Sequence, residues 1–328
     1  MKAAFIERHG PAESILYGDL PRPELHERSV LVRLGAVAVD HVDTFIRSGA
    51  FRSPVPFPFV LGRDMTGVVE TVGGDVRRFR PGDRVWSNCL GIDGLQGTFA
   101  EYLAVPEDRL YHLPDEVDPV EAVAVLHSAL AAVIGLFDKA RLSAGDTLFV
   151  NGGSGCVGTA VVQIAKSCGA RVAATAGGDE KRAWCRQAGA DPVISYRSDD
   201  VDKALRDFAP AGVDVYWDAT PQFDMEHALR QLAQRGRIVA MAGLNHSCRL
   251  PLGPFYTRNA TLFGFTVTGT TTEEYARYAR QINGWLRNET LKAKIHAVLP
   301  LSEAARAHRL QEDGGLFGKL VLVPDGSA

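Results

Sequence analysis

Residues 150–172 read VNGGSGCVGTAVVQIAKSCGARV. Within them Gly153, Ser154, Gly155, Cys156, Val157 and Gly158 fit the pattern G-x-G-x-x-G. An apolar run at 147–150 precedes the glycines. After them Val157, Val161, Ile164, Ala165 and Cys168 recur at helical spacing, and Gly169 is placed to cap the end. Strand, tight turn and helix therefore follow one another. In that setting the first glycine permits the turn and the second lets a pyrophosphate approach the backbone. The third lets the helix pack on the strand, while the helix start offers N–H groups and its dipole to the anion. The bare pattern would also suit a glycine-rich turn in another α/β fold. The strand–turn–helix context separates the two.

The unit repeats downstream. Strands are expected at 171–175, 192–195, 213–217 and 237–242, with helices at 179–188, 199–208 and 224–234 between them. A last apolar segment, 260–265, supplies a sixth strand. Strands alternating with helices of this length imply right-handed crossovers and a parallel sheet covered on both faces. The flanks differ. Segments such as 30–34 and 68–72 are short and alternating, and turn clusters at 73–75 and 81–83 break them, as in a compact mostly β domain. The stretch after 269 holds one helix (272–286) and a strand (319–323), too little for a domain, so it is expected to return to the first. The expected organisation is 1–121, first part of a β domain; 122–268, a doubly wound nucleotide-binding domain inserted into it; and 269–328, the return.

Composition narrows the function classes. The 328 residues are 46% hydrophobic and 23% charged, with a formal net charge of -3 and no long Lys/Arg run, which argues against nucleic acid as partner. No uninterrupted apolar stretch approaches the roughly 20 residues of a membrane span. The first residues turn charged too soon for a signal peptide. Cys89, Cys156, Cys168, Cys185 and Cys248 are scattered, which suggests neither a disulfide framework nor a Cys-rich zinc site. The expectation is a soluble cytoplasmic protein with no membrane or nucleic-acid partner.

The second strand decides between nicotinamide cofactors. An NAD site places Asp or Glu at its end to accept from the ribose diol. Here the strand ends in Ala176, Gly177 and Gly178, with no acid. Lys181 lies just beyond, and Tyr196 and Arg197 follow the third strand, so cations and a donor are at hand for a 2′-phosphate. Asp179 and Glu180 argue mildly the other way, unless they only charge the first turn of their helix. NADPH is the expected cofactor.

The chain resembles the zinc-free quinone oxidoreductases of the medium-chain dehydrogenase/reductase superfamily, the group that includes zeta-crystallin. The resemblance rests on 42–49 (VDTFIRSG), on Gly67-Val68-Val69-Glu70-x-Val72-Gly73, and on Pro81-Gly82-Asp83-Arg84-Val85. It continues through the glycine-rich stretch, Gly178-x-Glu180-Lys181, Ala188-Gly189-Ala190-Asp191 and Gly318-Lys319. It implies a GroES-like catalytic domain, a Rossmann domain, and an active site in the cleft between them. It implies a homodimer joined through the edge strand 260–265, which would otherwise be an exposed liability. It further implies cofactor contacts from Phe45, His127, Gly177, Thr220, Ala242, Gly243, Phe265, Thr266, Val267 and Lys319. The reaction implied is hydride transfer from NADPH to a quinone or an α,β-unsaturated carbonyl.

Zinc-dependent relatives carry Cys, His and Cys where this sequence resembles them at Asp40, Arg63 and His127, and the lobe with four closely spaced cysteines is missing. Asp40, Asp64 and His127 could converge on a metal, but Arg63 would repel it, and two carboxylates with one imidazole are a poor zinc set. The expectation is no metal, with Asp40 and Asp64 paired to Arg63. Asp40 and Phe45 stand where the family usually shows Asn and Tyr. His41 is a candidate proton donor, oriented by Asp40 with its pKa raised, or a packing residue. Arg63 is a candidate to orient an anionic acceptor, or only an ion-pair partner. Two competing functions remain: a zinc-type alcohol dehydrogenase, and a non-catalytic NADPH-binding protein of the crystallin or RNA-associated kind.

Overall fold

The computed structural model describes residues 1–51, 53–92 and 94–326. They form two compact units, one of residues 1–127 and 270–328 and the other of residues 128–269. The expected breaks lay at 121/122 and 268/269, so His127 belongs to the first unit.

The second unit is built on six parallel strands. From edge to edge they are Val193–Ser195, Arg171–Ala176, Thr147–Asn151, Val213–Asp218, Leu232–Ala240 and Thr261–Phe263. The order reverses direction beside Thr147–Asn151, the first strand in sequence, which is the switch point of a doubly wound sheet. Strands covered on both faces must be apolar throughout. Leu148, Phe149, Val150, Val172, Ala173 and Ala174 are accordingly fully buried.

Two boundaries differ from expectation. The helix expected over 224–234 is Met225–Gln231, and the strand Leu232–Ala240 starts at once. Sheet pairing of Leu232 with Val213 and a bond from Arg235 N–H to the Arg258 carbonyl (2.7 Å) claim these residues before another helical turn can form. Arg235 then turns through the left-handed region at φ 60°. The edge strand is Thr261–Phe263 rather than 260–265, because the Ala260 N–H is already bonded to the Phe255 carbonyl.

The first unit carries a seven-stranded sheet. Along it lie Ile295–Pro300, Lys319–Val323, Ser29–Val39, Asp64–Val72, Arg84–Ser87 and Tyr111–His112, while Tyr102–Pro106 also pairs Ser29–Val39. A smaller sheet joins Leu16–Asp19, Lys2–Ile6 and Phe59–Val60. The two share one apolar core that includes Ile6, Val30, Leu34, Phe59, Phe99 and Leu320. The strand Lys319–Val323 enters this sheet between Ile295–Pro300 and Ser29–Val39. One segment, Pro119–Lys139, is long and apolar enough to cross a membrane, yet 78% of its apolar window is buried, the pattern of a core helix. The sequence reading had found no such stretch, because Glu121 and His127 interrupt it.

Candidate functional site

Every expected cofactor contact in the second unit lies just past the carboxyl end of one of its six strands. Gly153–Gly158 follow Thr147–Asn151, Gly177 follows Arg171–Ala176, and Tyr196 follows Val193–Ser195. Thr220 follows Val213–Asp218, Ala242 and Gly243 follow Leu232–Ala240, and Phe265, Thr266 and Val267 follow Thr261–Phe263. Ligands of open α/β sheets bind at this edge.

The turn itself is closely packed. A Cβ on Gly158 would stand 2.2 Å from the Gly152 carbonyl oxygen, and one on Gly153 would stand 2.6 Å from the Ala174 Cβ. The helix Cys156–Ser167 can start this near the strand only because those atoms are missing. A buried polar network fixes the turn from below. The Thr175 hydroxyl donates to Asn151 Oδ1 (2.8 Å) and accepts from Gly152 N–H (2.9 Å). Asn151 Nδ2 donates to Asp218 Oδ2 (2.9 Å), and Asp218 Oδ1 accepts from the Thr220 N–H (2.7 Å) and hydroxyl (2.6 Å). Asn151, Thr175 and Asp218 had no place in the sequence reading. The polar residues ending two neighbouring strands were the available signal.

At the end of the second strand Asp179 is held by Arg182, so it charges and closes the first turn of Asp179–Gln187. Tyr196 is exposed, its hydroxyl lies against Gly177, and the Arg197 guanidinium stands 5.9 Å from its ring centre.

The first unit holds a buried cluster of ionisable side chains, and strand register explains how it gathers. Leu320 pairs with Val39, and Ala38 pairs with Asp64. Asp40, Asp64 and Lys319 thus meet at the ends of three adjacent strands. The Lys319 ammonium binds Asp40 Oδ1, with both side chains at most 6% exposed. Asp40 also caps the helix His41–Ser48, and its N–H donates to Asp43 Oδ2 (2.8 Å). The spacing of an acid three residues after an N-cap acid could have flagged Asp43. Cys89, in the left-handed region at φ 56°, donates its N–H to Asp64 Oδ1 (3.2 Å). His127, on the helix Pro119–Val133, places Nδ1 3.9 Å from the same oxygen. Arg63 is 1% exposed, and none of its three guanidinium nitrogens has a hydrogen-bond partner.

Charge and burial pull the titrations apart. Burial would raise Asp40, but Lys319, His127 and Arg63 outweigh it and hold the carboxyl at about 2. Burial and the Asp40 charge push Asp43 up to about 8, so it carries a proton at neutral pH. For His127 burial opposes the charged form, yet Asp40 and Asp64 raise its pKa well above the ordinary imidazole value. Buried groups pushed in opposite directions by specific charge partners make this cluster a candidate functional site.

Several expectations change. Asp40 pairs with Lys319 and not with Arg63, whose guanidinium makes no hydrogen bond to either carboxylate. Lys319, expected at the cofactor, is buried against Asp40. His41 is not oriented by Asp40: Gln311 Nε2 meets its Nδ1 at 2.5 Å. Nor is its pKa raised. Desolvation by neighbouring groups and the Lys319 charge lower it, against Asp40 and Glu312. Phe45 is half-buried on the same helix, its ring centre 6.1 Å from that of His41. Oxygens of Asp40 and Asp64 and a nitrogen of His127 lie within 4.8 Å of one another, as a metal would ask. The donor set does not fit one, since an ammonium already occupies Asp40 and a guanidinium stands beside Asp64.

Comparison with known proteins places the chain in context. Residues 26–115 match the alcohol dehydrogenase GroES-like domain, and residues 156–283 match the zinc-binding dehydrogenase domain. A quinone oxidoreductase of Lama guanicoe is 31% identical over 98% of this chain and 97% of its own. A solved NAD-dependent alcohol dehydrogenase superposes with TM-score 0.89 at 31% identity, covering 98% of this chain and 99% of its own. The quinone oxidoreductase of Escherichia coli, solved in complex with NADPH, superposes with TM-score 0.87 at 25% identity, covering 99% and 100%.

Proposed function

The chain belongs to the quinone oxidoreductase, zeta-crystallin-like branch of the medium-chain dehydrogenases/reductases, and we propose that it passes a hydride from NADPH to a quinone or an α,β-unsaturated carbonyl. The observation that carries this is the carboxyl edge of the six-stranded sheet. There a turn too tight for any side chain at Gly158 opens a helix toward an anion. The strand beside it ends in Ala176 without an acid, and the nearest one, Asp179, is committed to Arg182. Lys181 follows the end of that strand and Tyr196 and Arg197 that of Val193–Ser195, and we assign them to a 2′-phosphate. When bound, NADPH supplies the hydride, and the protein's part is orientation, exclusion of water and management of charge.

The Gly153–Gly158 turn holds the pyrophosphate, and the Asn151–Thr175–Asp218 network keeps it in shape. In the first unit three cations, Arg63, Lys319 and His127, face the carboxylates of Asp40 and Asp64. This surplus favours negative charge developing on an acceptor oxygen. The zinc-type alcohol dehydrogenase reading is disfavoured by the same groups. A soluble cytoplasmic homodimer joined along Thr261–Phe263, where Leu262 is exposed, completes the proposal.

The test is a cofactor titration with turnover of 9,10-phenanthrenequinone. NADPH should bind more tightly than NADH. Lys181→Ala should weaken NADPH about tenfold or more, the usual loss for one charge-assisted contact, with NADH nearly unchanged. Equal affinity of the wild type for both, or no quinone reduction with either, would overturn the reading. The NAD-dependence of the structural relative makes this comparison decisive.

A further inference from the structure

We infer that His127, and not His41, is the acid that gives up a proton when an enone-type acceptor is reduced. The inference rests on the function proposed above and adds a residue to it. Asp40, Asp43, Arg63, Asp64 and Lys319 all sit below the surface of the first unit. The His127 side chain alone among these six keeps appreciable exposure, 16%. Its Nδ1 is buried and turned toward Asp64, and an Asp40 oxygen lies within 4.8 Å of the Asp64 oxygen and the ring. One edge of the imidazole thus lies toward two carboxylates, while the side chain as a whole keeps its 16% exposure. His41 is exposed as well, but its Nδ1 is engaged by Gln311 and the ring lies near the Lys319 charge.

The protonation states agree with this geometry. Asp40 and Asp64 keep His127 charged despite burial, against the nearby Arg63 and Lys319 cations and beside the Cys89 thiol. An imidazolium populated at neutral pH carries the proton the step needs, whereas a ring whose pKa is lowered is mostly neutral there.

The step balances as follows. Two electrons and a proton arrive as hydride at the β-carbon of the acceptor, and the C=C pair shifts to give an enolate. The N–H bond of His127 then breaks, its proton goes to the enolate, and the neutral ring regains a proton from water. A quinone, once reduced, takes its protons from water and needs this donor far less.

The first experiment needs no cofactor. In the 15N-labelled chain, long-range 1H–15N spectra report the charge of each imidazole against pH, and His127→Gln identifies the resonances. The His127 ring should be protonated at pH 7 and should titrate at lower pH in Asp64→Asn. A ring already neutral at pH 7 in the wild type would overturn the inference whatever the turnover. The second experiment is kinetic. With both acceptors compared at saturating NADPH, His127→Gln should lose about 10²–10⁴-fold in turnover of an enal and far less with 9,10-phenanthrenequinone. Equal losses on both acceptors would make His127 a positioning residue and overturn the assignment. A wild type that reduces neither acceptor would instead sink the proposed function, and the ring titration would still judge the charge state separately.

Discussion

Replacing Lys319 with methionine keeps the aliphatic stem and removes the one ammonium bonded to Asp40. The magnitude follows from what that ammonium opposes. Asp40 is almost wholly buried, yet its carboxyl is held at about 2 against an ordinary value of 3.8. That depression alone corresponds to about 2 kcal/mol of folded-state stabilisation at neutral pH. Without Lys319 the carboxylate also stands unpaired in the interior, and breaking a buried pair on one side typically costs about 3–5 kcal/mol. The sign with pH is fixed as well. In the wild type the Asp40 contribution is present above pH 3.8 and is lost as pH falls through about 2. In Lys319→Met burial dominates and the carboxyl rises above 3.8, so the folded state binds a proton that the unfolded chain has released. The penalty is then full at pH 7 and shrinks near pH 4. Urea unfolding at both pH values, with hydrogen exchange at Val39 and Leu320 to localise the effect, measures it. Adding Asp40→Asn should recover much of the loss at pH 7. A cost under about 1 kcal/mol at pH 7, or one independent of pH and not relieved by Asp40→Asn, would refute the argument.

Other outcomes follow from the same structure. Asp43 is raised to about 8, so the wild type should lose stability as pH climbs from 3.8 toward 8, and Asp43→Asn should flatten that slope by up to one proton in thermal melts from pH 5 to 9. Gly158→Ala sets a methyl group against the Gly152 carbonyl, so it should destabilise the fold by about 1–3 kcal/mol and weaken NADPH binding in a fluorescence titration. Elemental analysis of chain purified from zinc-supplemented medium should find well under one zinc per chain, and a strong chelator should leave turnover intact, because Lys319 and Arg63 already neutralise the only three-residue donor set among the described residues.

The six strands of the second unit were legible because each buries both faces, so continuous apolar runs such as 147–150 and 213–217 announce themselves between turn residues. The glycine-rich turn was legible for a related reason: a contact as close as that of Gly158 admits one residue type. Helix length at 224–234 was not, since pairing of Leu232 with Val213 overrides a local pattern that continues in sequence. Partners in the first unit were hidden by distance along the chain. Asp40 and Lys319 are 279 positions apart, and no periodicity connects them, so the neighbouring Arg63 looked like the natural counter-ion. The direction of the His41 shift failed with it, because desolvation by surrounding groups lowers it most and the cation that adds to this comes from the same distant strand.

That separation bears on how the protein is made. The second unit draws its sheet from 147–263, one continuous stretch, and can close while synthesis is still under way. The first unit cannot finish until the ribosome has released the strand beginning at Lys319, which brings with it the only ammonium that lets Asp40 be buried. A nascent chain stopped before that strand leaves a gap beside Ser29–Val39 and an interior carboxylate without the ammonium that binds it. Such a product unfolds readily and falls to proteases, so incomplete synthesis yields degraded polypeptide and not a half-working enzyme.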